Sequence, residues 1–215
     1  MTYLELVNDV LIRLREDEVS NVSENAYSKL IGKFVNDSKR QVEDAYNWNA
    51  LADTLTFTTT ANLFNAVLVG SGQRFRVLDV LNDTSDWFVD YMPTSEMNRR
   101  LLLQGTTPTG APTHYNFNGV DENGDTQVDV YPVPDGVYNL RFNIIKPQPA
   151  MTSNTERLLV PSEPVVFGAY ARALAERGED SGILSSEAYA LFQQSLADAI
   201  ANEGNRYPEE LIWNT

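Results

Sequence analysis

The sequence holds few residues whose type and spacing could carry chemistry. His114 is the only histidine and there is no cysteine, which removes a histidine-based triad, a multi-histidine metal site, a thiolate site and a disulfide. In Pro112-Thr113-His114-Tyr115 the histidine enters an extended segment after a loop, and a structural or merely exposed role is expected of it. Asp121 to Asp125 (DENGD) has the composition of a calcium loop but not its spacing. An EF-hand needs glycine sixth and a carboxylate twelfth, whereas here Gly124 is fourth and Pro132 twelfth; a solvated hairpin tip is expected. Glu176, Glu179 and Asp180 gather carboxylates that could act as a paired acid and base. At a helix C-terminus such groups oppose the dipole, and Arg172 and Arg177 lie near enough in sequence to answer them. An ion-pair network within a bundle or between subunits is the plainer reading. Gly70-Ser71-Gly72 is too short, and too far from a following helix, for a phosphate loop. The expectation is a protein without catalytic, cofactor or metal-binding residues, hence not an enzyme.

The elements that position these residues begin with Pro161 to Asp180 (PSEPVVFGAYARALAERGED). Ser162 is expected as N-cap, Glu163 and Pro164 suit a first turn, and Gly178 suits a left-handed stop. Between them Val165, Val166, Phe167, Ala169, Tyr170, Ala171, Ala173, Leu174 and Ala175 leave almost no polar face, so this helix should be central rather than a surface stripe.

Helical spacing also marks the chain start. Thr2 and Glu5 form a capping-box pattern before Leu4, Val7, Val10, Leu11 and Leu14, predicting a helix over Tyr3 to Glu16. A second helix, Glu24 to Tyr46, follows, with Lys33, Asp37, Lys39, Arg40 and Glu43 read as its solvated face. After Trp48 the period becomes alternating. Strands are expected at Leu55 to Thr60, Ala66 to Val69, Phe75 to Leu81, Trp87 to Tyr91, Tyr115 to Asn118, Gln127 to Tyr131 and Tyr138 to Ile145. A short helix from Pro93 to Leu103 interrupts them, and Asn123-Gly124 and Pro134-Asp135-Gly136 read as hairpin turns. A last helix, Ser185 to Glu203, places Tyr189, Phe192, Leu196 and Ile200 on one face. The fold expected is α+β: an antiparallel helical bundle formed from both chain ends with an inserted antiparallel β sandwich or barrel. Its parts are 1–52 and 148–203 for the bundle, 53–147 for the β domain, and 204–215 as a C-terminal docking tail.

At 215 residues with a formal net charge of −14 and a pI near 4.4, the chain can bury a sizeable core, and phosphate-driven nucleic-acid binding is not expected of it. No apolar run approaches the length of a membrane span, so a soluble, unprocessed protein is expected. The tail is unusual. Gly204 and Pro208 stop the last helix, yet Leu211, Ile212 and Trp213 follow as apolar bulk where polar residues are the rule. A docking peptide that inserts Trp213 into a partner is one reading; a segment folded back on its own domain is the other.

These patterns together resemble the head-to-tail adaptor family of tailed phages, called tail tubular protein A in short-tailed phages. The residues that carry the resemblance are Tyr3 to Arg15, Val130-Tyr131-Pro132-Val133-Pro134-Asp135-Gly136, Lys146-Pro147, Glu163 to Asp180 and the tail Pro208 to Trp213. The resemblance implies a structural virion protein of the neck or tail, made in the host cytoplasm. Twelve copies would form a ring that joins the portal to a tail nozzle or other tail protein and lets DNA pass without sequence-specific binding. Portal docking then falls on Arg206, Tyr207, Leu211, Ile212 and Trp213, and subunit contact on Arg172, Glu176, Arg177, Glu179 and Asp180. Two other readings stay open: a different neck component, such as a stopper or tail-completion protein, and a glycan-binding module using Trp87, Tyr91 and Tyr115 as aromatic platforms.

Overall fold

The computed structural model describes residues 1–178 and 182–206. The chain divides into two compact units, one formed by Met1–Leu51 with Pro147–Thr215 and the other by Ala52–Lys146.

In the helical unit, α1 (Tyr3–Arg13) starts on a reciprocal cap: the Glu5 amide donates to Thr2 Oγ1 at 3.3 Å, and the Thr2 amide donates to Glu5 Oε2 at 2.8 Å. It buries Tyr3, Leu6, Val7, Val10 and Leu11. α2 (Ala26–Ala45) starts two residues later than its spacing predicts, because Asn25 and Ser28 cap each other in the same reciprocal way. α4 (Ser162–Arg177) is the helix against which α1, α2 and α5 (Ile183–Gly204) all pack. Its buried residues, Pro164, Val165, Val166, Gly168, Ala169, Ala171 and Ala173, fall on several faces, as a central helix requires. Gly168 lets the helices close up. A Cβ there would stand 2.9 Å from Ser38 Oγ on α2 and 3.2 Å from Phe192 Cδ2 on α5.

Two details of α4 differ from the sequence expectation. Ser162 already lies in the helix and makes no side-chain cap, since extended Pro161 holds the cap position. Leu174 is half-buried rather than enclosed. The stop is as expected, with Gly178 at φ 64° and its amide donating to the Leu174 carbonyl at 3.1 Å.

The second unit holds two four-stranded sheets. Strands β1 (Ala52–Thr58), β8 (Asn139–Ile145), β3 (Arg76–Asn82) and β4 (Trp87–Phe88) form one in that order. Strands β2 (Asn65–Leu68), β7 (Thr126–Tyr131), β6 (His114–Val120) and β5 (Asp90–Tyr91) form the other. Alternation turns Val80, Leu140, Phe142 and Ile144 of the first and Leu68, Tyr115, Val128 and Val130 of the second into one core, which makes the unit a sandwich. Its first and last strands lie side by side, Ala52 opposite Ile145.

The expected single strand Trp87 to Tyr91 is cut at Val89. This residue is buried in the core and its amide donates to Val80, so β4 completes the first sheet and β5 joins the second. The β5–β6 pairing is parallel, as is an isolated bridge between Thr109 and Val133, while the other strand pairs are antiparallel. Pro134-Asp135-Gly136 is not a hairpin turn, because β7 and β8 belong to different sheets; it carries the chain across the sandwich. α3 (Thr94–Leu102) covers the outer face of the second sheet, where Met92, Met97, Leu101 and Tyr131 form a separate cluster.

Candidate functional site

Of the residues expected at subunit contacts, the structure ties the two arginines into their own helical unit. From α4, Arg172 reaches α2, donating from Nη1 to Ser38 Oγ at 2.9 Å and from Nη2 to Gln41 Oε1 at 2.9 Å. Arg177 donates from Nε to Tyr27 Oη at 2.8 Å, lies 5.1 Å over the Tyr27 ring and pairs with Glu16 through Nη2. Glu176 is exposed, and Glu179 and Asp180 lie outside the described residues. The guanidinium of Arg172 has no carboxylate partner among the described residues. It lines a groove of about 490 Å³ between α4 and α5, together with Gly168, Ala171, Ala175, Ser185, Ser186 and Tyr189.

Of the docking residues, Arg206 lies just past α5, where its guanidinium pairs with Glu203 at 3.4 Å. Glu203 also accepts from the Asn49 amide at 3.0 Å, which ties the end of α5 to the segment after α2. Tyr207, Leu211, Ile212 and Trp213 lie outside the described residues.

In the β unit the three proposed aromatic platforms do not share a surface role. Tyr115 is turned into the core between Phe117 and Phe142. Trp87 and Tyr91 are exposed, but the Trp87 indole N–H donates to the Pro112 carbonyl at 3.0 Å. His114 is half-buried, its Nδ1 2.9 Å from Thr113 Oγ1. The DENGD segment is a tie between loops. Asp125 accepts from the Gly70 and Gly72 amides, each at 2.9 Å, and these bonds hold its carboxyl below the usual range. Burial pushes the Asp129 carboxyl the other way, upward, although Asn65 Nδ2 donates to it at 2.7 Å. On α3, Arg99 and Arg100 both donate to Glu96 and bring its carboxyl down to about 2.

Two features escaped the sequence reading. Lys39 and Glu43, assigned to the solvated face of the second helix, are buried together. Their positions extend the buried series Ile31, Val35, Ser38 and Val42, and that spacing was the available signal. The second is the outer face of α5. Tyr189, expected to share a core face with Phe192 and Leu196, is half exposed, as are Leu184 and Leu191, and Ile183 is more so. Among the described residues there is no group of three or more acidic or histidine side chains fit to hold a metal, and no helix long and apolar enough to cross a membrane.

The described surfaces thus offer contact area: exposed apolar side chains on α5, a small groove and exposed aromatics. Comparison with protein families places the chain among phage adaptor proteins. It belongs to the SU10 adaptor protein family, which it matches over residues 1–212. No curated protein matches it. Membership makes the protein a virion component that interacts with other head or tail proteins.

Proposed function

We propose that the protein is a head-to-tail adaptor of the tail tubular protein A-like kind, a non-enzymatic ring subunit that joins the portal to the tail and continues the DNA channel. The observation that carries this reading is the match to a phage adaptor family along almost the whole chain. Its acidic balance, 30 carboxylates against 16 basic side chains, supports the channel, since a surface that repels phosphate lets DNA slide without sticking. Twelve copies surround the channel. Residues 53–147 face one neighbour, and the tail, with Arg206, Tyr207, Leu211, Ile212 and Trp213, reaches the portal. Arg172, Glu176, Arg177, Glu179 and Asp180 stand at or beside the contacts between copies, the two arginines by holding α4 in place.

The test is binding to the portal protein of the same phage by the full chain and by a chain lacking residues 206–215. The shortened chain is expected to keep its helical content and its melting temperature while losing the portal. Retention of portal binding by the shortened chain removes the docking role of the tail.

A further inference from the structure

The groove between α4 and α5 combines apolar lining with one cation. On the α4 side Gly168, Ala171 and Ala175 bring nothing larger than a methyl group, and the half-exposed Tyr189 ring lines the α5 side. At about 490 Å³ the groove has the size of a cleft that takes an organic ligand or a large side chain. Arg172 supplies the cation. Its two terminal nitrogens donate to Ser38, Gln41 and the Gly168 carbonyl, while its Nε meets no acceptor and its charge no carboxylate among the described residues. The chemistry that fits is an aromatic side chain with a carboxylate close beside it.

The chain carries one segment of that chemistry. The described residues end at Arg206, and the nine that follow, YPEELIWNT, hold Glu209, Glu210 and the terminal carboxylate beside Leu211-Ile212-Trp213, with no lysine or arginine. A protein of formal net charge −14 repels such a segment over most of its surface, and a guanidinium set in apolar lining attracts it. The exposed bases of α2, Lys29, Lys33 and Arg40, share an open helix face with Asp37 and Asp44, whereas Arg172 stands in a cleft.

Length decides whose tail it is. At 1.5 Å per residue, Tyr189 lies about 25 Å and Ser185 about 31 Å back from Arg206 along α5. Trp213 is seven residues past Arg206, at most about 23–25 Å of fully extended chain, before any of it is spent on turning round. A tail folded back on its own α5 leaves Trp213 short of the cleft. We infer that in the free protein the tail of one copy seats in the α4–α5 groove of another, Trp213 against Ala171 and Ala175 and a tail carboxylate on Arg172. Tail and groove are different surfaces, so the contact is head to tail and links copies into rows or, where the rotation closes, a ring. A portal that takes the tail empties the groove, so this contact of the free protein stands apart from the portal reading.

The absence of native cysteine opens the contact to cross-linking. Full-length Asn214→Cys protein is mixed with full-length Ser186→Cys protein, Ser186 being an exposed residue of the groove, and the mixture is treated with a short bismaleimide. Thermal melts confirm that the variants stay folded. A cross-link between the unlike variants is expected. It is lost when the Ser186→Cys chain also carries Ala175→Glu, which sets a carboxylate at an exposed position of the groove. Persistence of the cross-link in that variant overturns the inference, as does cross-linking of Asn214→Cys only to itself, or no cross-link at all. A chain carrying both cysteines that closes on itself, unchanged by dilution, places the tail on its own unit and overturns it too. Portal binding by the wild-type chain is measured alongside. If portal binds while the cross-link fails, the adaptor reading stands and this contact falls; a cross-link without portal binding leaves the contact standing and counts against the adaptor reading.

Discussion

Lys39 and Glu43 meet inside the helical unit, ammonium to carboxylate at 2.9 Å, with side chains only 3% and 1% exposed. The pair clasps the chain where it returns from the β unit. Lys39 Nζ donates to the Gln148 carbonyl at 2.6 Å, and the Gln148 amide donates to Glu43 Oε1 at 3.2 Å. Glu43 Oε2 is buried and has no hydrogen-bond partner among the described residues.

Removing one member of this pair strands the other. Glu43→Ala or Lys39→Ala is expected to lower stability by about 3–5 kcal/mol, the usual cost of an uncompensated buried charge. The double change Lys39→Met with Glu43→Leu recovers most of the loss. Urea unfolding followed by helical circular dichroism checks both. A single variant as stable as wild type shows that the pair is solvated.

Gly168→Ala reads the close approach of α2, α4 and α5. In an open helix this change gains about 1 kcal/mol of helix propensity. Here the new methyl presses on Ser38 and Phe192, and overpacking of this kind costs about 1–3 kcal/mol. A lowered thermal midpoint is expected; a raised one indicates that the helices part easily.

Asp129 should make stability depend on pH in an unusual direction. Burial raises its folded-state value above that of the unfolded chain, so its favourable contribution is complete below the unfolded value near ~3.9. That contribution is lost as pH climbs through the raised folded value. Asp129→Asn keeps an acceptor for Asn65 and removes the charge. Its melting temperature is expected to exceed wild type at pH 7, with the difference vanishing as pH falls toward ~4. Melts across that range settle it, and a variant less stable than wild type at pH 7 contradicts the prediction.

Trp213 is expected to dominate the tail's affinity for portal. Trp213→Ala weakens attachment by about 2 kcal/mol or more if the indole fills a pocket, the usual size of a hot-spot loss. Binding isotherms for this variant and for Asn214→Ala separate an anchor from a bystander.

What the sequence made legible was local. The Thr2–Glu5 cap and the Gly178 stop depend on residues within one turn, and strand alternation depends on neighbours. What stayed hidden depends on distant partners. Lys39 looked solvated because the carbonyl that satisfies it belongs to Gln148, 109 positions away. Pro134-Asp135-Gly136 announced a turn but not which sheet the next strand would join. The break at Val89 followed from the depth of the sandwich core, which no five-residue window contains. Arg172 and Arg177 were read as answering the acids at the end of α4, whereas their contacts among the described residues run to Ser38 and Gln41 and to Tyr27 and Glu16, partners that lie far off in sequence. The expected docking residues from Tyr207 onward carry only their sequence signal.

The pairing of β1 with β8 has a consequence for how such proteins diversify. Because Ala52 lies opposite Ile145, the β unit begins and ends at one place, about 5 Å apart across a strand pair. The helical unit is thus joined to the β unit through two adjacent chain ends. Any domain whose ends are zipped together in this way could be spliced between Leu51 and Pro147 without re-threading the helices. An exchange of the β unit at this point is a change of cassette that leaves the sequence of the helical unit as it is.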